Sequence, residues 1–237
     1  DSEEAVPTSE LGEGVGGGLS CGIDSFTMVA QHLLSEDADP QRLTHFLFFN
    51  VGSHGRGAKG RQLFEHRLLD SEAAAREMGL PLAVVDSNLA DFYDGIGFQQ
   101  THTLRSAAAA LTLQRGLRSW LYASTYHYGD CRFDSSYDLA YVDPALIPLL
   151  STERISCWST GSALFRVDKT RLVSTLDVAT RHLNVCVSPR DATQKARNCG
   201  GCFKCLRTLA ALEILGRLDA FGDCFDLDRY RATRTMF

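Results

Sequence analysis

The chain switches repeatedly between dense apolar runs and stretches with helical period. His45–Val51 (HFLFFNV) is almost wholly apolar, as a strand buried on both faces requires. Leu82–Asp86 (LAVVD) and Trp120–Ser124 (WLYAS) have the same character, and Val15–Ser20 is a Gly-rich, weaker candidate strand. Between them the spacing changes. Phe26, Val29, Ala30, Leu33 and Leu34 recur at three-to-four intervals and predict a helix from Asp24. Residues 59–79 predict a second helix, with Leu63, Leu68, Ala75 and Met78 inward and Gly79 as its stop. Ser106–Leu117 predicts a third. Strand and helix in alternation, with apolar strands, predict a doubly wound parallel α/β sheet. Such sheets bind ligands at the C-terminal ends of their strands.

The last third reads differently. Asp143–Leu150 predicts a turn into a short helix, and Ile155–Trp158 and Ala163–Val167 predict short strands. Asp168–Val178 and Phe203–Leu218 predict helices. The resulting division is a flexible lead over 1–14, an α/β domain over 15–180 and a small C-terminal subregion over 181–237.

Composition narrows the classes. At 237 residues the chain can bury a sizeable core, and no run reaches the roughly 20 apolar residues of a membrane span. The first residues are acidic and polar, unlike a signal peptide, and the absence of a Met at Asp1 leaves open a processed or partial chain. A net charge of −5 argues against non-specific nucleic-acid binding but not against a small anion, which backbone N–H groups alone can hold. The eight cysteines do not imply a disulfide scaffold in a chain this long, so a reducing cytoplasmic setting is expected.

One segment carries phosphate chemistry. Gly18-Leu19-Ser20-Cys21-Gly22-Ile23-Asp24-Ser25 lies between a candidate strand and a clear helix. Small residues let a backbone approach polyphosphate, and N–H groups at a helix start attract it. Ser20 and Ser25 offer hydroxyl donors, and Asp24 beside phosphate makes sense through Mg2+. Gly18-x-Ser20-x-Gly22 also matches a serine-hydrolase elbow, although little chain precedes it to build an oxyanion loop. Gly12-x-Gly14-x-x-Gly17 matches a dinucleotide fingerprint without the required strand, and no Walker A sequence is present.

A second segment carries metal chemistry. Cys186-x12-Cys199-x2-Cys202-x2-Cys205 has the spacing of a closed four-thiolate zinc site, with an iron–sulfur cluster as the rival. Four protein ligands leave no open position, so such a site is structural.

The first segment resembles the PP-loop of the ATP pyrophosphatase superfamily, Ser-Gly-Gly-x-Asp-Ser/Thr, departing at Cys21. Together with the cysteine motif followed by Leu-Arg, it resembles the 7-cyano-7-deazaguanine synthase (QueC-like) branch. Val51-Gly52-Ser53-His54 stands where that family has a Tyr-Gly-Gln-Arg-His segment, which is missing here. The resemblance implies an adenine nucleotide alpha hydrolase-like sheet and cleavage of ATP to AMP and pyrophosphate. A substrate carboxylate attacks the α-phosphate, and the acyl-adenylate goes on to an amide, nitrile or related bond. Asp24 would hold Mg2+, residues Ser20 to Ser25 would cradle pyrophosphate, and Lys169 and Arg105 would neutralise phosphate charge. The implied substrate is a small-molecule acid or modified-base precursor, with no membrane partner and room for a homodimer. Alternatives are a tRNA-modifying or thiolating relative using Cys21, Cys131 or Cys157, a non-catalytic nucleotide-binding module, and a hydrolase using Ser20. His54, Tyr126 and His127 follow strand ends and are candidate pocket residues.

Overall fold

The computed structural model describes residues 12–34, 39–134, 136–186 and 196–236. Its centre is a five-stranded sheet, β1 (Gly14–Gly18), β2 (His45–Asn50), β3 (Leu82–Asp86), β4 (Leu117–Ala123) and β5 (Ser156–Thr160). The strand order is β3-β2-β1-β4-β5, and every pairing is parallel. The chain starts in the middle, winds outward to β3, then crosses to β4. The order therefore reverses between β1 and β4, which opens a crevice at their C-terminal ends.

Side-chain alternation divides the core. Phe46 and Leu121 point to one face with α1 (Ile23–His32) and the later helices, and Leu47 and Trp120 point to the other with α4 (His102–Leu111). Between these come α2 (Gly57–Glu77) and the single turn α3 (Leu89–Phe92). After α5 (Asp143–Leu149) and β5, the helices α6 (Arg166–Val173), α7 (Asp177–His182), α8 (Phe203–Ile214) and α9 (Leu227–Thr233) complete the chain. Cys205, Leu209 and Leu212 of α8 join the same core as Val15 and Phe26, so the C-terminal segment shares the core of the sheet.

The Gly-rich β1 is the central strand because nothing larger fits. A Cβ on Gly17 would lie 2.6 Å from the Met28 side chain and 2.7 Å from that of Leu43. The lead expected over 1–14 enters this framework at its end: the Gly14 N–H donates to Gly116 O at 2.9 Å. The remainder of that lead, residues 1–11, lies outside the described residues.

Several boundaries move. In α2 the buried positions are Gly60, Phe64, Ser71, Ala74 and Ala75; of the residues read as inward, Ala75 is buried and Met78 packs against the core, while Leu63 and Leu68 are only half-buried. The helix expected over Ser106–Leu117 is α4, which begins at His102 and yields to β4 at Leu117, where that residue pairs with Gly14. Ala163–Val167 is not a strand: Gly161, at φ +78°, turns the chain, and α6 begins at Arg166. The helix expected over Asp168–Val178 is two, α6 and α7. Arg217 donates to the Ser174 carbonyl at 3.0 Å, and the Ser174 and Thr175 hydroxyls bond back to Arg171 and Leu172. No helix among the described residues is long and apolar enough to cross a membrane.

Candidate functional site

A cavity of about 580 Å³ opens at the C-terminal edge of β1, β2 and β4. Ser20, Gly22, Ile23, Asp24 and Ser25 form one wall, so the segment singled out in the sequence lies at the topological switch point. Gly22 caps α1 without a side-chain hydrogen bond. The first N–H groups of a helix have no internal acceptor, so this end presents partial positive charge to the cavity. Ile23 is buried in the core and offers only its backbone. Ser25 is buried and its hydroxyl donates to Gly22 O at 3.0 Å, which holds the turn.

Cys21 occupies a conformation that favours glycine. Its φ is +57°, the single positive φ of a non-glycine residue among those described. Cys21 therefore holds this turn under backbone strain that a glycine would not carry. Its thiol is fully buried beneath α2, 3.9 Å from Asp70 O, and its carbonyl accepts the Asn184 N–H at 2.7 Å. Burial pushes the thiol pKa up to about 12, which disfavours its thiolate form at neutral pH. Cys157 is buried in the opposite core, with its pKa also raised by burial. Ser20 is exposed and, among the described residues, no histidine bonds it; the strained residue is its neighbour, so the elbow geometry is absent.

Asp24 is held by two cations. Its Oδ1 accepts from Lys169 Nζ at 3.0 Å and its Oδ2 from Arg166 Nη2 at 3.0 Å. Lys169 is completely buried and also donates to the carbonyls of Ser124 and Thr125, which close the loop after β4. Burial lowers its pKa, against the opposing attraction of Asp24. Lys169 thus acts on the site through Asp24, while Arg166, three residues earlier on α6, lines the cavity itself.

Arg105 is not at the cavity wall. It is buried, donates to Thr101 Oγ1 at 2.7 Å and to the carbonyls of Val51 and Ile96 at 3.3 Å, and stacks on Tyr93 and Phe98. These partners are loop groups after β2 and β3, so Arg105 braces the rim rather than facing a ligand. The cavity's other cations are Arg67 of α2 and Lys204 and Arg207 of α8, none of which spacing alone singled out. A signal for two of them was present: Lys204 lies inside the Cys202–Cys205 repeat and Arg207 one helical step on. Desolvation lowers the pKa values of both Lys204 and Arg207, and like-charged neighbours lower them further.

His54 lines the cavity, packed on Phe48 and Phe64, and burial lowers its pKa to about 4, so it is neutral. Tyr126 instead stacks on Tyr141 at 3.9 Å and donates to Asp138, and His127 stacks on Phe165 at 3.9 Å. Asp138 also bonds His102, whose other nitrogen meets the hydroxyl of Tyr122 at 2.9 Å.

The four cysteines meet behind the cavity. The sulfurs of Cys186, Cys199, Cys202 and Cys205 all lie within 4.8 Å of one another, with close pairs at 3.9, 3.9 and 3.4 Å. A tetrahedral ion about 2.3 Å from four sulfurs separates them by about 3.8 Å, so the group could hold zinc. The turn needs Gly200, at φ +68°, where a Cβ would strike Asp226 O at 2.3 Å. Buried Asn198 braces it, accepting from Val185 and Cys186 N–H and donating to the carbonyls of Leu183 and Cys224. Part of the connection between Cys186 and Cys199 lies outside the described residues.

No protein-family model matches the chain, and no curated protein matches its sequence. What defines the molecule is its geometry: a five-stranded parallel α/β protein with a cationic cavity at the switch point and a four-cysteine cluster against it.

Proposed function

We propose that the cavity binds Mg·ATP by its triphosphate and that the chain is a QueC-like PP-loop enzyme with an adenine nucleotide alpha hydrolase-like fold. It adenylates a substrate carboxylate, releasing pyrophosphate and then AMP. The observation that carries this reading is the wall itself: an uncapped helix start, Asp24, and the cations Arg67, Arg166, Lys204 and Arg207 around one cavity. A polyanion matches that set, and one carboxylate beside phosphates is the usual protein share of a Mg2+ site.

In this reading the N–H groups of Gly22 to Ser25 hold the pyrophosphate portion. Arg166, Lys204 and Arg207 take up charge as the bond between the α-phosphorus and the bridging oxygen breaks. Asp24 would hold the Mg2+, with Lys169 and Arg166 orienting its carboxylate, and the metal would supply charge neutralisation for the phosphate oxygens. The substrate carboxylate oxygen forms the new bond to the α-phosphorus, and ammonia or another nucleophile then displaces AMP at the acyl carbon.

Incubation with Mg·ATP and candidate acids, followed by separation of nucleotides, tests it. AMP and pyrophosphate in equal amounts are expected. ADP and phosphate, or no calorimetric heat on adding Mg·ATP, would end the assignment.

A further inference from the structure

We infer that the four-cysteine centre and the cation cavity are thermodynamically coupled: a metal on the cysteines raises affinity for a polyphosphate, and the polyphosphate retains the metal. The inference rests on the triphosphate reading of the cavity.

Three connections join the sites. First, α8 begins inside the metal motif. Cys202 is its N-cap and Cys205 lies in its first turn, so two thiolates fix the helix end that carries Lys204 and Arg207 into the cavity. Second, Asn184, Val185 and Cys186 are at once cavity wall and approach to the first cysteine. The Asn184 N–H holds Cys21 O at 2.7 Å, the strained residue of the anion loop, while Asn198 clamps the N–H groups of Val185 and Cys186 at 2.7 and 3.0 Å. Third, Arg67 of the cavity donates to the Cys186 carbonyl.

Each site alone is a cluster of like groups. Four sulfurs crowd within 4.8 Å, and four cations share one cavity with the single carboxylate Asp24. The start of α8 belongs to both sites. Filling one site orders that shared element and lowers the cost of filling the other. Linkage makes the effect equal in both directions.

The test uses zinc-loaded protein and magnesium-saturated α,β-methylene ATP, which resists cleavage at the bond in question. Zinc release to a chromogenic chelator is timed with and without the analogue. Release slows at least about fivefold when the analogue is bound, the lower end of ordinary coupling. In the doubly substituted Lys204→Ala, Arg207→Ala protein the analogue no longer slows it. In the reverse direction, zinc-stripped protein whose circular dichroism is unchanged binds the analogue at least about fivefold more weakly, and zinc restores the affinity. If stripping unfolds the chain, the release rates decide. Release indifferent to a bound analogue, or equal affinities with and without zinc, overturns the coupling and leaves the nucleotide site standing. No binding by the zinc-loaded protein overturns both.

Discussion

The ammonium of Lys169 meets the carboxylate of Asp24 at 3.0 Å, with the lysine wholly shielded from solvent and the aspartate at the cavity wall. A buried charge is tolerated only when it is paired and hydrogen-bonded, and Lys169 is both. Lys169→Met removes one of the two cationic partners of Asp24 and takes the ammonium donor from the Ser124 carbonyl, while Arg166 still holds Asp24 and the Thr125 carbonyl. The expected cost is about 2–4 kcal/mol by urea denaturation. Asp24→Asn leaves the Lys169 ammonium buried without its counter-ion, so it costs at least as much stability, and it lowers AMP release at least about a hundredfold. An AMP release rate within about twofold of the native protein in folded Asp24→Asn would show that the pair serves the fold alone.

Cys21 makes a two-sided test of the loop. A left-handed backbone costs a residue with a side chain about 1–2 kcal/mol. Cys21→Gly removes that strain and loses a buried thiol of similar worth, so stability changes by less than about 1 kcal/mol. Cys21→Val puts a branched side chain into the same backbone and costs more than about 2 kcal/mol. The native thiol stays unmodified by iodoacetamide at pH 8, because burial holds its pKa near 12. Rapid alkylation there would mean that the loop opens.

Arg105 separates a structural cation from a catalytic one. Arg105→Met keeps the apolar stem against Tyr93 and Phe98 but abandons Thr101 Oγ1 and the carbonyls of Val51 and Ile96. We expect about 2 kcal/mol of destabilisation and an AMP release rate within about twofold of the native protein. A hundredfold rate loss at native stability would return Arg105 to the cavity.

Stability should carry two opposed pH slopes. Asp143 is fully buried with one carboxylate oxygen lacking a hydrogen-bond partner, and burial raises its pKa from 3.8 to about 6. The native state keeps a proton there that the unfolded chain has released. This contribution is complete below pH 3.8 and is lost as the pH rises through 6. His54 works in reverse: its pKa falls from 6.5 to about 4, so its contribution is present above pH 6.5 and is lost as the pH falls toward 4. Asp143→Asn removes the first slope and leaves the second unopposed. Its stability at pH 7 relative to pH 4 rises by up to about 3 kcal/mol over the native difference, at about 1.4 kcal/mol per unit. Urea midpoints measured from pH 4 to 7.5 check this, and parallel curves for the two proteins would refute it.

Much of the fold could be read from local pattern. HFLFFNV read as a doubly buried strand, and the spacing from Phe26 read as a helix, which in the structure ends at His32 and leaves Leu34 exposed. The Ser20–Ser25 turn and the run Cys199–Cys205 were legible because each gathers its distinctive residues within a few positions. Arg166, Arg67, Lys204 and Arg207 were not, since a solitary basic residue on a helix carries no mark of the direction it faces. For Arg105 the neighbourhood in sequence suggested a ligand, and its neighbours in space are the carbonyls of Val51 and Ile96, the Thr101 hydroxyl and two aromatic rings.

The order of residues alone determined most of the strands and helices, though not the turn at Gly161 or the break between α6 and α7, and it determined which cysteines have metal spacing. These depend on interactions within a few positions, which hydrophobic period and backbone sterics report directly. Folding decided the strand order β3-β2-β1-β4-β5 and the gathering of α1, α2, α6 and α8 around one cavity. It also decided that Asp24 would find Lys169 from 145 positions away. Packing selects such contacts by burying the most apolar surface on both faces of the sheet, and that selection leaves no local trace along the chain.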